Sequence, residues 1–438
     1  MKTFISTLIL LAGVAGSAAA VDVKEVKSPG GIKAYLNEDH GNQLVTIAYQ
    51  FAGGAAIDPP AKGGLSNFAV ALLDEGAGTR DSLAFQSELE DRSIRWRVSA
   101  SQDSIDGTLT STTDNLPVAL DLLKSGLSQP RFDAEPVERI RKQILVSIKA
   151  ASENPGKIAG DALMKAVFGD HPYSRNDDGT MESVAAITAA DFKAWAKARF
   201  ARDRLIVAAS GDITAEQLGK ALDQVFGVLP ATTGLDVKVP EAVIPSKGSE
   251  TRIEKRLPQS VIYVAQRGIR RNDPDWYTAL LVDYVFGSGS FQSRLTDEIR
   301  EKRGLAYSVS SSLSPLDAGA FMMAGAGTRA DKADETVKLL RDEWRKLRDG
   351  GITEDELKGA KDYLTGAWPL RFTATAAIAQ TLIAVQRDKL GIDYLDKRNS
   401  LIEKVTLADA NRFAKSLYDP DGLQVVVVGP KVPPQPAK

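Results

Sequence analysis

The chain repeats one order of predicted elements twice, and this duplication constrains its fold more than any other feature of the sequence. In each half an apolar segment of strand character leads into a helix, a strand pair and further helices. The half then closes on a helix followed by a buried strand. The closing segments match well, because Thr188 and Thr406 both stand where the N-cap of the closing helix is expected. The pattern predicts two copies of one domain.

The interleaving of strand pairs with helices predicts the α+β class, with each domain a mostly antiparallel sheet covered by helices on one face. We predict the first domain over 21–230 and the second over 249–430. A linker over 231–248 joins them, since this stretch contains prolines and glycines and has little periodicity. The tail over 431–438 is Pro-rich and is expected to lack regular structure.

Residues 1–20 have the pattern of a secretory signal peptide. Lys2 forms a short positive region, residues 4–14 are apolar, and Ala18 and Ala20 provide a small-residue cleavage site. The apolar stretch is too short to span a membrane comfortably, and no later stretch is apolar enough to span one. Because the chain has no cysteine, we expect the mature protein in a bacterial periplasm.

The composition argues against several kinds of site. A net charge of −2 leaves no basic footprint for nucleic acid. The absence of cysteine excludes disulfides, thiolate metal sites and a cysteine nucleophile. The only histidines, His40 and His171, lack the helical spacing of zinc ligands, so a zinc site within this chain is not expected. Both are interpreted as loop or surface residues.

The motif Gly325-x-Gly327-x-x-Ala330 nominally matches a dinucleotide-binding turn. Such a turn requires a second parallel strand with a terminal acidic residue, and the sequence that follows predicts two helices instead. We therefore interpret the match as fortuitous. The chain has no G-x-S-x-G elbow and no P-loop, and no pattern indicates a Ser-His-Asp triad, although two histidines leave one open.

The stretch 64–79 predicts a buried helix that ends on a glycine. Its other face carries Asn67, Val70 and Ala71, which offer no reactive group. The apolar residues follow helical spacing and form one stripe, namely Leu65, Phe68, Ala69, Leu72 and Leu73. The stripe explains why the helix forms but gives it no chemistry.

A second polar stretch begins with a glycine-serine loop and leads into a helix predicted from Gln292 to Arg303. Gly304 fits the C′ position of that helix. The loop is either a tight turn or a segment that contacts substrate. It consists of Gly287, Ser288, Gly289 and Ser290.

The strand after Gly304 is expected to place Leu305, Tyr307 and Val309 on one face. On chemistry alone, we interpret Arg300 as a solvated charge within a run of charged residues. Tyr307 is interpreted as a half-buried core residue.

The segment "SRLTDEIREKRGLAYSV" resembles the pitrilysin family of zinc peptidases, which includes insulin-degrading enzyme and the mitochondrial processing peptidase. The likeness extends over essentially the whole mature chain. Arg300 and Tyr307 match a family pair in type, spacing and context. The resemblance implies that this pair hydrogen-bonds the substrate backbone near the scissile bond, and that the tyrosine hydroxyl stabilises the oxyanion.

The chain departs from the family at its zinc motif. The family reads G-x-A-H-x-x-E-H, and here Asn67 replaces the first histidine, Val70 the glutamate and Ala71 the second histidine. The third ligand, a glutamate of a later helix, falls near Ser147, and neither Val146 nor Ser147 can replace it. The resemblance therefore implies no metal or cofactor in this chain and no peptidase activity of the chain alone.

In two-chain members of the family, one subunit carries the zinc motif and the other supplies the Arg/Tyr pair. The resemblance thus implies a heterodimer with a homologous H-x-x-E-H subunit that holds the zinc, and peptides as substrates. Two other hypotheses stay open. The chain can be an inert scaffold or peptide-binding protein, or a self-sufficient hydrolase with an unrecognised site.

Overall fold

The computed structural model describes residues 21–431. The predicted signal peptide over 1–20 and the tail beyond Lys431 lie outside the described residues. The strands are β1 Lys24–Lys27, β2 Lys33–Glu38, β3 Leu44–Ala52, β4 Arg95–Ala100, β5 Ser104–Thr112, β6 Leu205–Gly211, β7 Ser249–Glu254, β8 Gln259–Arg267, β9 Ala306–Ser314, β10 Phe321–Arg329 and β11 Gln424–Gly429.

The helices of the first half are α1 Leu65–Val70, α2 Ser82–Asp91, α3 Leu116–Ser128, α4 Ala134–Ala151, α5 Pro155–Phe168, α6 Met181–Ala186, α7 Ala189–Arg199 and α8 Ala215–Phe226. Those of the second half are α9 Trp276–Asp283, α10 Ala333–Gly350, α11 Glu354–Gly366, α12 Thr375–Arg387, α13 Tyr394–Glu403 and α14 Leu407–Leu417. Two π-helices, Tyr284–Ser288 and Thr296–Glu301, lie between α9 and β9. Within residues 21–431, no helix has both the length and the apolar run that crossing a membrane requires.

The two sheets have the same strand order, which confirms the α+β class and the duplication. The first sheet runs β1-β2-β6-β3-β5-β4 and the second β7-β11-β8-β10-β9. Without β1, the two orders match strand for strand. In each sheet one pair is parallel, β2 with β6 and β7 with β11, and the other neighbours are antiparallel.

Each half packs its own helices on one face of its sheet. The first core gathers side chains of β3, β5, α1, α3, α7 and α8, and the second gathers those of β8, β10, α9, α10 and α14. Thr188 and Thr406 cap the closing helices α7 and α14 as predicted, and each forms a capping box with the aspartate three residues later.

The opposite face of each sheet is partly covered by a helix from the other half. Helix α12 packs on β6, β3 and β2, and α5 packs on β11 and β8. As a result β11 is buried along its whole length and β3 at all but its two end residues, which means that both faces of these strands are covered. This exchange, which the sequence pattern did not indicate, places the two halves against each other.

The halves also meet around a buried tyrosine. The hydroxyl of Tyr173 donates to the carboxylate of Asp103 and accepts the backbone N–H of Ala318 at 2.9 Å. The backbone N–H of Asp317 donates to the same aspartate at 3.1 Å. The linker residue Ala242 donates its N–H to Ala318 at 2.7 Å. The turn between β9 and β10 is thereby tied to the first half.

A buried ion pair fixes α1 to α7. Arg199 donates from Nη2 to Oδ1 of Asp58 at 2.7 Å, and both side chains are almost fully buried. Asp58 also accepts the N–H and the hydroxyl of Ser66 at 2.8 and 2.7 Å, and Ser66 accepts the indole N–H of Trp195 at 3.0 Å. Since every partner is itself hydrogen-bonded, the network holds the helix that carries the altered zinc motif in one position.

Candidate functional site

Arg300 and Tyr307 form a stacked pair in which the tyrosine is exposed and the arginine is half-buried. The guanidinium carbon of Arg300 lies 5.1 Å from the centroid of the Tyr307 ring and 4.8 Å from that of Phe291. Tyr307 is 84% exposed and Phe291 67% exposed. The Nε of Arg300 lies 3.3 Å from a carboxylate oxygen of Glu301, which leaves the outer amino groups without a protein partner within residues 21–431. The pair therefore presents N–H donors and a phenol to solvent.

The prediction that Tyr307 shares a face with Leu305 and Val309 is wrong. Cα partners run from Ala306 opposite Thr328 to Val309 opposite Ala326, so Tyr307 and Ser308 together face the single residue Gly327. This β-bulge interrupts the alternation of side chains and turns Tyr307 outward. Its interpretation as a half-buried core residue is wrong for the same reason.

The first half shows the same strand without the bulge. The register between β4 and β5 is continuous, and Arg95 lies opposite Thr110, the residue that matches Gly327 in the duplicated sheet. Arg95 is exposed, so the place opposite Gly327 faces outward in both halves, and the bulge puts two residues there instead of one.

Arg300 lies on a π-helix instead of the predicted α-helix from Gln292 to Arg303. The helical turn begins at Arg294, and i to i−5 hydrogen bonding extends over Thr296–Glu301. Gly304 has φ +58° and ends the helix, as predicted. The wider helical turn changes the direction in which Arg300 points, which is a common use of π-helices at functional sites.

Two kinds of contact hold this π-helix in place. Leu295 and Ile299 are fully buried in the core of the second half. Arg294 makes a bidentate ion pair with Glu356 of α11, with both N–O distances 2.6 Å. Bidentate geometry restrains orientation as well as distance, so Arg300 projects from a fixed support.

The glycine-serine segment is more structured than the predicted loop. Gly287 and Ser288 end the π-helix Tyr284–Ser288, and the N–H of Gly289 donates to the carbonyl of Tyr284 at 2.9 Å. A Cβ on Gly287 would lie 2.4 Å from the hydroxyl of Ser311, so only glycine fits there. Of the four residues, Ser288 and Ser290 are exposed. A contact between this segment and substrate remains a prediction and falls to these two serines.

Asp283 lies buried beneath this segment. Its carboxylate accepts the hydroxyl of Ser311 at 2.6 Å and is also hydrogen-bonded by Ser288. Burial raises the pKa of Asp283 from its ordinary value of 3.8 to about 6, and the two serine hydroxyls only partly offset this effect.

The raised pKa predicts how stability changes with pH. Between the unfolded pKa near 4 and the folded pKa of about 6, the folded state binds the proton more tightly, so the stability that this group contributes falls as pH rises. The cost of the charged form is then about 3 kcal/mol above pH 6. As the pH rises from about 4 to about 7, we expect the free energy of unfolding of Asp283→Asn to increase by about 2–3 kcal/mol relative to that of wild type. Equilibrium urea unfolding of both proteins at these two pH values measures the change. A stability difference between the two proteins that is the same at both pH values would contradict the prediction.

The altered zinc motif lies on α1, and its apolar stripe is confirmed. Leu65, Phe68, Ala69, Leu72 and Leu73 are all buried, although the regular helix ends at Val70 and turns follow. Val70 and Ala71 line a groove of about 960 Å3 between α1, β4, β5 and α12. The side-chain amide of Asn67 donates to the carbonyl of Asp177 at 2.9 Å. Asn67 and Val70 therefore make structural contacts, whereas Ala71 is exposed.

Ser147 does not join these residues in one cavity. It is exposed on α4 and lines a separate groove of about 360 Å3 with Lys157, Asp161 and Asp178. The ammonium group of Lys157 lies 3.0 Å from Asp161 and 3.7 Å from Asp178, so the acidic residues already face a cation of the protein itself. Within residues 21–431 no group of histidine or acidic side chains is arranged to hold a metal ion. The residues present thus do not fit a zinc site.

The glycines of the nominal dinucleotide motif belong to a strand. Gly325 and Gly327 both lie inside β10, and a Cβ on Gly325 would lie 2.7 Å from the ring of Tyr263. Gly327 is the residue opposite the bulge at Tyr307. Glycine inside a strand is a known sign of a bulge, so the sequence did contain a signal for the exposure of Tyr307.

Two family models match the chain. Residues 33–179 match the model described as insulinase, peptidase family M16, and residues 186–364 match the peptidase M16 inactive domain. The chain therefore belongs to peptidase family M16. The model that covers Arg300 and Tyr307 is the one described as an inactive domain.

Relatives of the chain span most of its length. It is 26% identical to the non-peptidase homolog YmxG of Helicobacter pylori, over 98% of this chain and 99% of that one. It is 24% identical to the β subunit of the mitochondrial processing peptidase of Neurospora crassa, over 86% of this chain and 82% of that one. A crystal structure of a peptidase M16 inactive domain from Pseudomonas fluorescens has a TM-score of 0.89 and 29% identity, over 95% of this chain and all of that one.

Proposed function

We propose that this chain is the non-zinc subunit of a heterodimeric zinc metallopeptidase, and that Arg300 and Tyr307 complete the active site of a homologous H-x-x-E-H partner. The observation that carries the proposal is the β-bulge at Tyr307. A bulge costs ladder hydrogen bonds, and here it exposes an aromatic side chain beside an arginine with uncommitted N–H donors. An exposed tyrosine beside uncommitted N–H donors suits a site that is completed by a second molecule.

In this proposal the chain's own residues bind and orient a peptide. The Arg300 guanidinium donates to a backbone carbonyl of an extended substrate, and the Tyr307 hydroxyl donates to the scissile carbonyl oxygen as negative charge develops on it. Ser288 and Ser290 contact the same peptide. Zinc, which supplies a Lewis acid and an activated water, would be held by the partner. We also propose that the complex works in a bacterial periplasm, on the strength of the leader-like residues 1–20.

A catalytically inert scaffold or peptide-binding protein is the second candidate. The altered positions Asn67, Val70, Ala71 and Ser147 favour it, as does the likeness to a protein described as a non-peptidase homolog. The two candidates agree that the chain alone does not cleave peptides and differ in whether it contributes to cleavage in a complex.

Gentle isolation of the tagged chain from its own host separates the two. The first proposal expects a stoichiometric homologous chain bearing H-x-x-E-H, with zinc and peptide cleavage in the eluate. Recovery of a lone or self-paired chain without zinc or turnover would overturn it in favour of the scaffold.

A further inference from the structure

A cavity of about 730 Å3 lies where the C-terminal end of α12 meets the sheet of the first half. We name it the α12 pocket, and the residues of its lining that matter below are Lys33, Tyr35, Arg202, Ile206, Gln386 and Lys389. We propose that the α12 pocket binds a small organic phosphate, with the phosphate on Arg202 and Lys389. Neither the Arg300–Tyr307 pair nor the altered zinc motif lines this pocket, so the site is a separate one.

The observation that carries the proposal is a buried donor without an acceptor. The Nε of Arg202 is buried and has no hydrogen-bond partner within residues 21–431. Its neighbour Asp203 does not supply one, because that carboxylate lies against Nε of Arg204 at 3.7 Å. Buried donors without an acceptor are rare, and a bound water or ion commonly accounts for them. Since Arg202 lines the α12 pocket, an anion bound there would supply the missing acceptor.

The charges of the lining favour an anion. The cations are Lys33, Arg202 and Lys389, and the acidic residues are Glu25 and Asp203, so the positive charges outnumber the negative by one. Lys33 and Glu25 neutralise each other at 2.9 Å. In the part of the chain that the structure describes, neither Arg202 nor Lys389 forms an ion pair. Asp203 is exposed and opposes an anion, which makes it a useful position for a test.

Two uncommitted cations suit a dianion. A phosphate monoester carries a charge of about −2 above pH about 7, whereas a carboxylate carries only one negative charge. The fork of N–H groups on an arginine matches the oxygen atoms of a phosphate, and a lysine adds a point charge. A phosphate can therefore accept hydrogen bonds from Arg202 and Lys389 together.

The carbonyl end of α12 is less unfavourable to an anion than a helix C-terminus usually is. The backbone N–H groups of residues 388–390 donate to the carbonyls of residues 384–386, at 2.9–3.1 Å. The negative potential of a helix C-terminus comes from carbonyls that lack such partners. Pairing of these carbonyls therefore reduces the repulsion at this end of the pocket.

The floor of the pocket suits an organic body. Lys33 and Tyr35 alternate on β2 with Ala34 and Leu36, which face the core of the first half. Tyr35 thus lies on the face of the sheet that α12 packs on, where Ile206 of β6 also lies. Both are half-buried and line the pocket. A ring or short carbon chain attached to the phosphate would bury apolar surface against them.

The pocket is built by both halves of the chain. Arg202 precedes β6 of the first half, and Lys389 follows α12 of the second. Gln386 already joins the halves, since its Nε2 donates to the carbonyl of Val207 at 2.9 Å. A phosphate on Arg202 and Lys389 would add a contact between the halves. We therefore expect the ligand to raise the Tm of the chain.

A simpler account is that a water molecule accepts the hydrogen bond from Arg202. That account predicts no affinity for phosphates and no effect of Lys389 or Asp203 on binding. The proposed site predicts that both residues matter, and in opposite directions.

Isothermal titration calorimetry of the full chain tests the proposal, with phenyl phosphate, benzoate and inorganic phosphate as probes at pH about 8, where the phosphates are dianions. We expect phenyl phosphate to bind most tightly of the three. Its affinity should fall about tenfold in R202Q and in K389Q. In D203N the affinity should rise, because the substitution removes the opposing charge. Thermal unfolding without ligand verifies that each variant folds. If R202Q fails to fold, K389Q and D203N decide, since both change exposed side chains.

The matched control is R256Q, which removes one positive charge from an exposed arginine outside the pocket. An equal loss of affinity in this control would reduce the effect to overall charge. Failure of wild type to bind phenyl phosphate would leave Arg202 to a water molecule. Binding of benzoate or inorganic phosphate as tight as that of phenyl phosphate would contradict the assigned ligand class. Each of these results overturns the proposal. The subunit proposal is judged separately, because Tyr307→Phe should leave this affinity unchanged.

Discussion

Tyr307→Phe in the purified complex is expected to lower kcat by ~10²–10³-fold with little change in KM, because the lost hydroxyl is needed where negative charge develops in the transition state. The substitution keeps the ring, and with it the stacking on Arg300 at 5.1 Å. Arg300→Ala is expected to raise KM as well as lower kcat, since the guanidinium also holds the peptide before the reaction. Steady-state kinetics with a fluorogenic peptide would measure both effects.

Tyr363→Phe is the matched control for this loss. Tyr363 lies on α11, is 56% exposed and stacks on Tyr284 with ring centroids 5.1 Å apart, but it is not part of the Arg300–Tyr307 pair. Loss of the Tyr363 hydroxyl should leave kcat of the complex unchanged. If Tyr307→Phe matched this control in kcat, while the complex stayed assembled, the catalytic role of Tyr307 would be wrong.

Asp58→Ala is expected to destabilise the first half by about 3–5 kcal/mol, because it leaves Arg199 charged, buried and without its carboxylate. Burial already lowers the pKa of Arg199 and raises that of Asp58, so neither charge is tolerated well without the other. The loss should appear in equilibrium urea unfolding as a lower transition midpoint.

The double variant Asp58→Ala/Arg199→Met should recover much of this loss, because it removes the stranded charge while it keeps apolar volume. A contrasting exposed pair is Lys220–Glu216, whose side chains are 71% and 79% exposed. Glu216→Ala should lower the free energy of unfolding only slightly, because this pair is exposed to solvent. A loss of that small size for Asp58→Ala would contradict the assignment of this pair as the anchor of α1.

The sequence predicted the elements that depend on local pattern. The apolar, strand-like segments that open each half marked β3 and β8, Thr188 and Thr406 marked two helix starts, and the stripe on α1 followed from its helical spacing. The substitutions at Asn67, Val70 and Ala71 could be interpreted from the family resemblance alone. These features are local, so a single chain carries enough information to find them.

What the sequence did not reveal depends on partners distant in the chain. Helices α5 and α12 were not assigned to the opposite sheets, because an apolar helix face does not say which sheet it will cover. The exposure of Tyr307 depends on register against β10, and Gly327 was the one local sign of it. Each hydrogen bond of the π-helix that carries Arg300 spans one residue more than in an α-helix, and periodicity over so short a segment does not resolve this difference.

The most direct test of the central claim is a titration of this chain into its purified zinc-bearing partner, with peptide cleavage as the readout. The proposal predicts that the partner alone is nearly inactive and that activity rises to a plateau at one chain per zinc. The Tyr307→Phe chain should compete for assembly and yield an inactive complex. Full activity of the partner without this chain would contradict the claim that Arg300 and Tyr307 complete its site.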